Sequence, residues 1–235
     1  LEFGSRGTTL SLKGKRDLGM SYTKISAPIF SRCVENHHKR MLKSSLRWMN
    51  QELDRYIKLT QEVPWFYNER AVLGFFISGL IREGNATVLQ EFSCQRGSNP
   101  TKKNSSGRAD LYFSYNEEDY LVESKWCMTS VNERSACGEA LKWAKRGLRQ
   151  ANRYRMDAKV ERENIFALCF EAISTTQKLD DYRDLVQKWQ VKEETDLAGL
   201  DFYSLIQVTS STKTAWHHYQ KRFFPALAIY GLFNH

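Results

Sequence analysis

The chain lacks the signatures of several common functional classes. Its five cysteines, Cys33, Cys94, Cys127, Cys137 and Cys169, include no Cys-x-x-Cys pair. That scatter indicates neither a zinc site nor an iron–sulfur cluster and fits reduced thiols in a cytosolic protein. No apolar run reaches the length of a membrane span and no secretory pattern opens the chain, so a soluble, cytoplasmic protein is expected. What the chain has in excess is positive charge. Lys and Arg number 35 against 27 Asp and Glu, a net charge of +8 over 235 residues, and that balance favours a polyanionic partner.

A chain of this length can bury a sizeable core, with one domain plus extensions as the default. Leu1 to Ser5 reads as cloning-derived, and the basic run that follows has no periodicity. Residues 1–19 are therefore set aside from the fold, 20–66 are read as an N-terminal helical extension, and 67–235 as an α/β domain with C-terminal strands.

Apolar residues at Met41, Leu42, Leu46, Met49, Leu53, Tyr56 and Ile57 recur at helical spacing, which predicts an amphipathic helix from about His38 to Thr60. Val63-Pro64-Trp65 interrupts the pattern, and a second, strongly apolar helix is expected from Tyr67 to Arg82. Glu69 stands near its start, where the helix dipole alone is enough to account for a carboxylate. Ala86 to Phe92 reads as a strand. The loop that follows, Ser93 to Ser106, is rich in Gly, Ser and Asn and carries Lys102 and Lys103. Its cations and amides suit phosphate contact, a merely solvated loop being the plain alternative.

The rest of the chain is organised around the stretch from Gly107 to Lys125. Two alternating segments, Gly107–Ser114 and Tyr120–Trp126, flank a polar turn at Asn116–Asp119, which reads as a β-hairpin without an Asn-Gly or Asp-Gly turn. Ala109, Leu111 and Phe113 share one face with Val122 and Trp126, while Asp110, Glu123 and Lys125 fall on the other. A turn centred on 116–119 places Asp110 across from Lys125 and diagonal to Glu123. Such a trio is either an ordinary cross-strand ion pair on a solvated face or, where partly buried, a charge cluster that needs pairing or a metal.

Farther on, Glu133 to Met156 is expected as a long helix bearing Lys142, Lys145, Arg146, Arg149, Arg153 and Arg155, with Gln150 and Tyr154 one turn apart on one face. Asn164–Phe170 reads as a buried central strand, Leu179–Trp189 as a helix, and Phe202–Val208 and Phe224–Phe233 as strands. Pro225 is expected near the start of the last strand or on an edge. His217 and His218 read as surface residues.

The central succession of helix, three strands, helix and strand, with Asp110 on the second strand and Glu123-x-Lys125 on the third, resembles the PD-(D/E)xK nuclease superfamily. Ala109 stands in place of that motif's proline. Gln150 to Tyr154 resembles the Gln-x-x-x-Tyr signature of its RecB-like, exonuclease-type branch, and Glu69 occupies the place where many members carry a further acid. The resemblance spans roughly Asn68 to Phe170. It implies an α/β, restriction-endonuclease-like core (αβββαβ), a mixed sheet flanked by helices. It also implies a Mg²⁺- or Mn²⁺-dependent deoxyribonuclease. Asp110, Glu123, Lys125 and Glu69 would be catalytic, and Asp110, Glu123, the Ser124 carbonyl and Glu69 would hold metal. Gln150, Tyr154, Arg108, Lys102 and Lys103 would contact DNA, without excluding RNA. Hard carboxylate oxygens suit those cations, and a cation there would activate water and clamp phosphate oxygens. The competing readings are a nuclease-fold DNA-binding or interaction subunit without turnover, and a structural basic α/β protein.

Overall fold

The computed structural model describes residues 21–96, 105–131, 136–155, 160–176, 186–187, 189, 197, 199–209, 216–217 and 221–235. Its elements are β1 (Thr23–Ile25), β2 (Ile29–Phe30), α1 (Asn36–Thr60), α2 (Glu69–Arg82), β3 (Ala86–Arg96), β4 (Ser105–Tyr115), β5 (Glu118–Ser130), α3 (Ala136–Ala151), β6 (Tyr154–Arg155), β7 (Ile165–Thr175), β8 (Phe202–Val208), β9 (Trp216–His217) and β10 (Arg222–Phe233). The strands form one mixed sheet in the order β1-β8-β10-β7-β5-β4-β3-β6, with β2 on β8 and β9 on β10. Only β5 and β7 pair in parallel among these ladders. A parallel neighbour needs a crossover, and α3 supplies it. The fold is thus α/β, and α2, β3, β4, β5, α3 and β7 follow in the order the sequence suggests, with the short β6 intervening.

Strand alternation divides the core into two faces. Phe166, Leu168, Phe170 and Ala172 of β7 pack with Met41, Leu42, Leu46 and Leu53 of α1 and Val72, Phe76 and Leu80 of α2. Cys169 and Ile173 point the other way, towards Ala140 and Ala144 of α3. Residues 21–66 share the first of these cores, and they also contribute β1 and β2, which the sequence does not mark. The two helices of that layer touch backbone to backbone. A Cβ added at Gly79 would lie 2.2 Å from the Ser45 carbonyl oxygen.

The hairpin differs from expectation in its turn. Pairing runs to Tyr115↔Glu118, leaving a two-residue loop in which Asn116 and Glu117 both have positive φ, 50° and 69°. That is the primed turn whose twist matches the strands, made here without glycine. Strands β3 and β4 also extend further than expected, to Arg96 and from Ser105, and residues 97–104 lie outside the described residues. Pro225 lies near the start of β10, one of the two places expected for it, at a register shift between Phe223 and Ala226. A bulge spares the ladder the amide that proline lacks. His217 pairs with Arg222 in β9, while His218 and most of 179–189 fall outside the described residues.

Candidate active site

The site lies where β4 and β5 part. Their pairing begins at the turn and reaches Leu111↔Val122. The shorter loop slides the register by two residues, so Asp110 stands level with Glu123 rather than opposite Lys125. Past that point the Asp110 carboxylate enters the ladder itself. Its Oδ2 accepts the Ser124 amide at 2.8 Å and lies 3.2 Å from Ser124 Oγ.

Neighbouring side chains on β5 leave opposite faces of the sheet. Ser124 turns towards α2, where its hydroxyl lies 2.6 Å from Glu69 Oε1. Glu69 is fixed there because Asn68 caps α2, its side chain accepting the Ala71 amide at 3.0 Å. The turn before α2 is anchored as well, with Trp126 Nε1 donating to the Trp65 carbonyl at 3.0 Å and Trp65 Nε1 to the Phe224 carbonyl at 3.2 Å.

Glu123 and Lys125 turn towards α3. The Lys125 ammonium donates to Glu123 Oε1 at 2.8 Å and to the Ser124 carbonyl at 2.5 Å, and it lies 3.9 Å from Asp110 Oδ2. It therefore sits among the oxygens of the expected metal ligands. Helix α3 comes this close because position 147 is glycine. A Cβ there would be 3.1 Å from Ala167 Cβ, 3.4 Å from Lys125 Cγ and 3.5 Å from the Glu123 carbonyl oxygen.

Tyr154 joins the site from a different element than expected. Helix α3 ends at Ala151, and Tyr154 belongs to β6, paired with Arg96 of β3. Its hydroxyl still accepts from Gln150 Nε2 at 2.7 Å and stands 3.0 Å from Glu123 Oε2 and 2.9 Å from the Arg108 carbonyl oxygen. Gln150 thus acts on Glu123 through Tyr154.

The charges are held against their preference. Glu123 is 1 % exposed. Burial first, and the Asp110 carboxylate second, push its carboxyl up to about 7, with Lys125 and Tyr154 opposing. Glu69 is likewise raised by burial and by Asp110, against the Ser124 hydrogen bond, Lys125 and Arg70. Burial disfavours the ionised form, and a neighbouring like charge does so again.

Three carboxylates face one ammonium, and hard oxygens with surplus negative charge are the donors a divalent cation such as Mg²⁺ or Mn²⁺ takes. Asp110, Glu123 and the Ser124 carbonyl fit that role. Glu69 reaches this centre through the Ser124 hydroxyl.

Around this acidic centre lies a basic rim. Glu91, opposite Asp110 on β3, binds Arg70 at 2.6 Å and Arg108 at 3.1 Å. The Arg108 guanidinium therefore faces Glu91, while its carbonyl faces Tyr154. Along α3 and the turn that follows it, Arg146, Arg149, Gln150 and Arg153 line a cleft of about 290 Å³, and Lys142 and Lys145 line an adjoining one with Leu141, Leu148, Arg149 and Asn152. Lys102 and Lys103 lie outside the described residues. Sequence reasoning missed Glu91, Arg70, Gly147 and the Ser124 hydroxyl. Only Gly147, a helix-weakening residue in a helical stripe, left a signal. Comparison with family models, curated proteins and solved structures finds no match to this chain.

Proposed function

We propose that the protein is a metal-dependent nuclease that hydrolyses DNA phosphodiester bonds, built on a restriction-endonuclease-like core. The observation that carries this reading is the meeting of Asp110, Glu123, the Ser124 carbonyl and Lys125 where β4 and β5 separate, with Glu69 bridged to them by Ser124. A structural ion pair has no need of three partly or fully buried carboxylates around one lysine, because each added acid raises the cost of ionising the others.

A divalent cation held by these oxygens supplies a lowered pKa for bound water and neutralises charge on the phosphoryl group. The chain's own groups do the rest. The Asp110 carboxylate is kept in place by the Ser124 amide. Tyr154 and Gln150 orient the outer oxygen of Glu123. The Lys125 ammonium is positioned to donate hydrogen bonds to an attacking water or to the phosphoryl oxygens as negative charge builds there. Arg146, Arg149 and Arg153 give a sequence-independent hold on the phosphate backbone.

The test is cleavage of linear and circular DNA by the full chain with Mg²⁺ or Mn²⁺, beside Asp110→Asn and Lys125→Ala. Loss of metal-dependent cleavage in both variants is the expected result. Equal behaviour of wild type and variants on every substrate and metal refutes it, and metal-independent DNA binding without cleavage establishes the binding-subunit alternative instead.

A further inference from the structure

We propose a second, chemically distinct metal site, for Zn²⁺, formed by Cys33, Asp201 and His235. These residues come from three separate places in the chain: the turn after β2, the residue before β8, and the segment after β10. The sheet brings them to one end. Asp201 is buried and tied by backbone bonds to both neighbours, its amide donating to the Gly231 carbonyl at 2.9 Å and its carbonyl accepting from Ser31 at 2.8 Å. Its side chain is divided between two tasks. Oδ2 accepts the Phe233 amide at 2.7 Å, and Oδ1 faces His235 Nε2 at 3.0 Å and Cys33 Sγ at 3.5 Å.

The donor atoms of the three residues all lie within 4.8 Å of one another. Zinc bonds of about 2.0 to 2.3 Å in a tetrahedron require neighbouring donors roughly 3.3 to 3.6 Å apart. The observed sulfur–oxygen separation falls in that range, and the nitrogen–oxygen separation is only slightly inside it. Both Cys33 and His235 are exposed, so a fourth position opens to water. Ser31 Oγ, 3.0 Å from Asp201 Oδ1 and 2.9 Å from Cys33 Sγ, is placed to hold both ligands from outside, the role outer-shell partners play at metal sites.

Donor chemistry chooses the metal. A thiolate, an imidazole and one carboxylate oxygen suit Zn²⁺ and not Mg²⁺ or Ca²⁺, whereas the Asp110–Glu123 site offers oxygen alone. One thiolate and one carboxylate also balance the two charges of the ion, the Cys33 thiol giving its proton to solvent on binding. The absence of a Cys-x-x-Cys pair hides such a site, because its ligands are far apart in sequence.

The test uses the metal-stripped full chain. Zn²⁺ is titrated in competition with a chromophoric chelator, and Co²⁺ is added separately to look for thiolate-to-cobalt charge-transfer absorption. Cys33→Ala and His235→Gln, both exposed and outside the core, should each weaken Zn²⁺ binding on the order of tenfold or more, and Cys33→Ala should abolish the cobalt band. Cys127→Ser should change neither. Wild-type affinity no tighter than that of Cys33→Ala, or a cobalt band that survives Cys33→Ala, overturns the proposal, and the nuclease reading stands or falls separately.

Discussion

Replacing Glu123 by Gln should remove a pH dependence that the buried acid imposes on the stability of the whole fold. The Glu123 carboxyl is pushed up from 4.5 to about 7. Between those values the folded chain holds a proton that the unfolded chain releases. The stabilisation is therefore complete below pH 4.5, declines as pH rises, and is gone once pH passes about 7. At about 1.4 kcal/mol per pH unit, the loss across that interval comes to about 3 kcal/mol. For a chain of this size that is about 6 to 12 °C in melting temperature. Gln does not titrate. It also offers one carbonyl oxygen where Glu123 accepts from both Lys125 and Tyr154, so a pH-independent cost of about 1 to 3 kcal/mol is expected. The measurement is urea unfolding, followed by tryptophan fluorescence in the presence of a chelator, for both proteins across the interval. The variant should gain on wild type by about 3 kcal/mol from the acid end to the alkaline end. Parallel stability curves would refute the electrostatic account of the site.

Tyr154→Phe deletes a hydroxyl shared among Glu123, Gln150 and the Arg108 carbonyl. It should cost about 1 to 3 kcal/mol of stability. Because the Tyr154 bond holds the Glu123 carboxyl down, the acidic limb of the kcat/KM profile of the proposed cleavage should also move to higher pH. Gly79→Ala forces a Cβ onto the Ser45 carbonyl oxygen, and a destabilisation of about 1 to 3 kcal/mol or more is expected in denaturant titrations. On the proposed nuclease reading, Arg149→Ala with Arg153→Ala should weaken DNA binding uniformly across sequences. It should also reduce the slope of log affinity against log salt by about one per guanidinium.

Elements defined by local periodicity were legible from the sequence. The 3.6-residue repeat of α1, the apolar run of β7 and the span of β8 are written in adjacent residues, and so is the Asp110/Glu123/Lys125 pattern. What escaped depends on backbone geometry or on partners distant in the chain. Nothing local marks Asn116-Glu117 as a positive-φ pair, and that one loop sets the register, deciding whether Asp110 stands level with Lys125 or with Glu123. Helical spacing puts Gln150 and Tyr154 on one helix face, yet Tyr154 reaches Gln150 from a strand after the helix has ended. Short edge strands such as β1 carry too few residues for a period to emerge. They exist because β8 offers unpaired backbone, which is a property of the assembled sheet.

On the proposed nuclease reading, the acidic centre and the basic helix act on DNA in opposite directions. Arg146, Arg149 and Arg153 have no ion pair among the described residues, so they attract phosphate. Asp110, Glu123 and Glu69 repel the diester that must come closest, unless a cation intervenes. It follows that Asp110→Asn should abolish cleavage and yet tighten DNA binding in chelator. A unit charge about 7 Å from a phosphate is worth about 0.6 kcal/mol at the dielectric of water, roughly a threefold gain in affinity. Fluorescence anisotropy with a labelled duplex at low salt measures it, and the gain should shrink as salt screens the repulsion. If Asp110→Asn binds metal-free DNA no better than wild type, the phosphate does not come near these carboxylates. The cleft on α3 would then be leading DNA elsewhere.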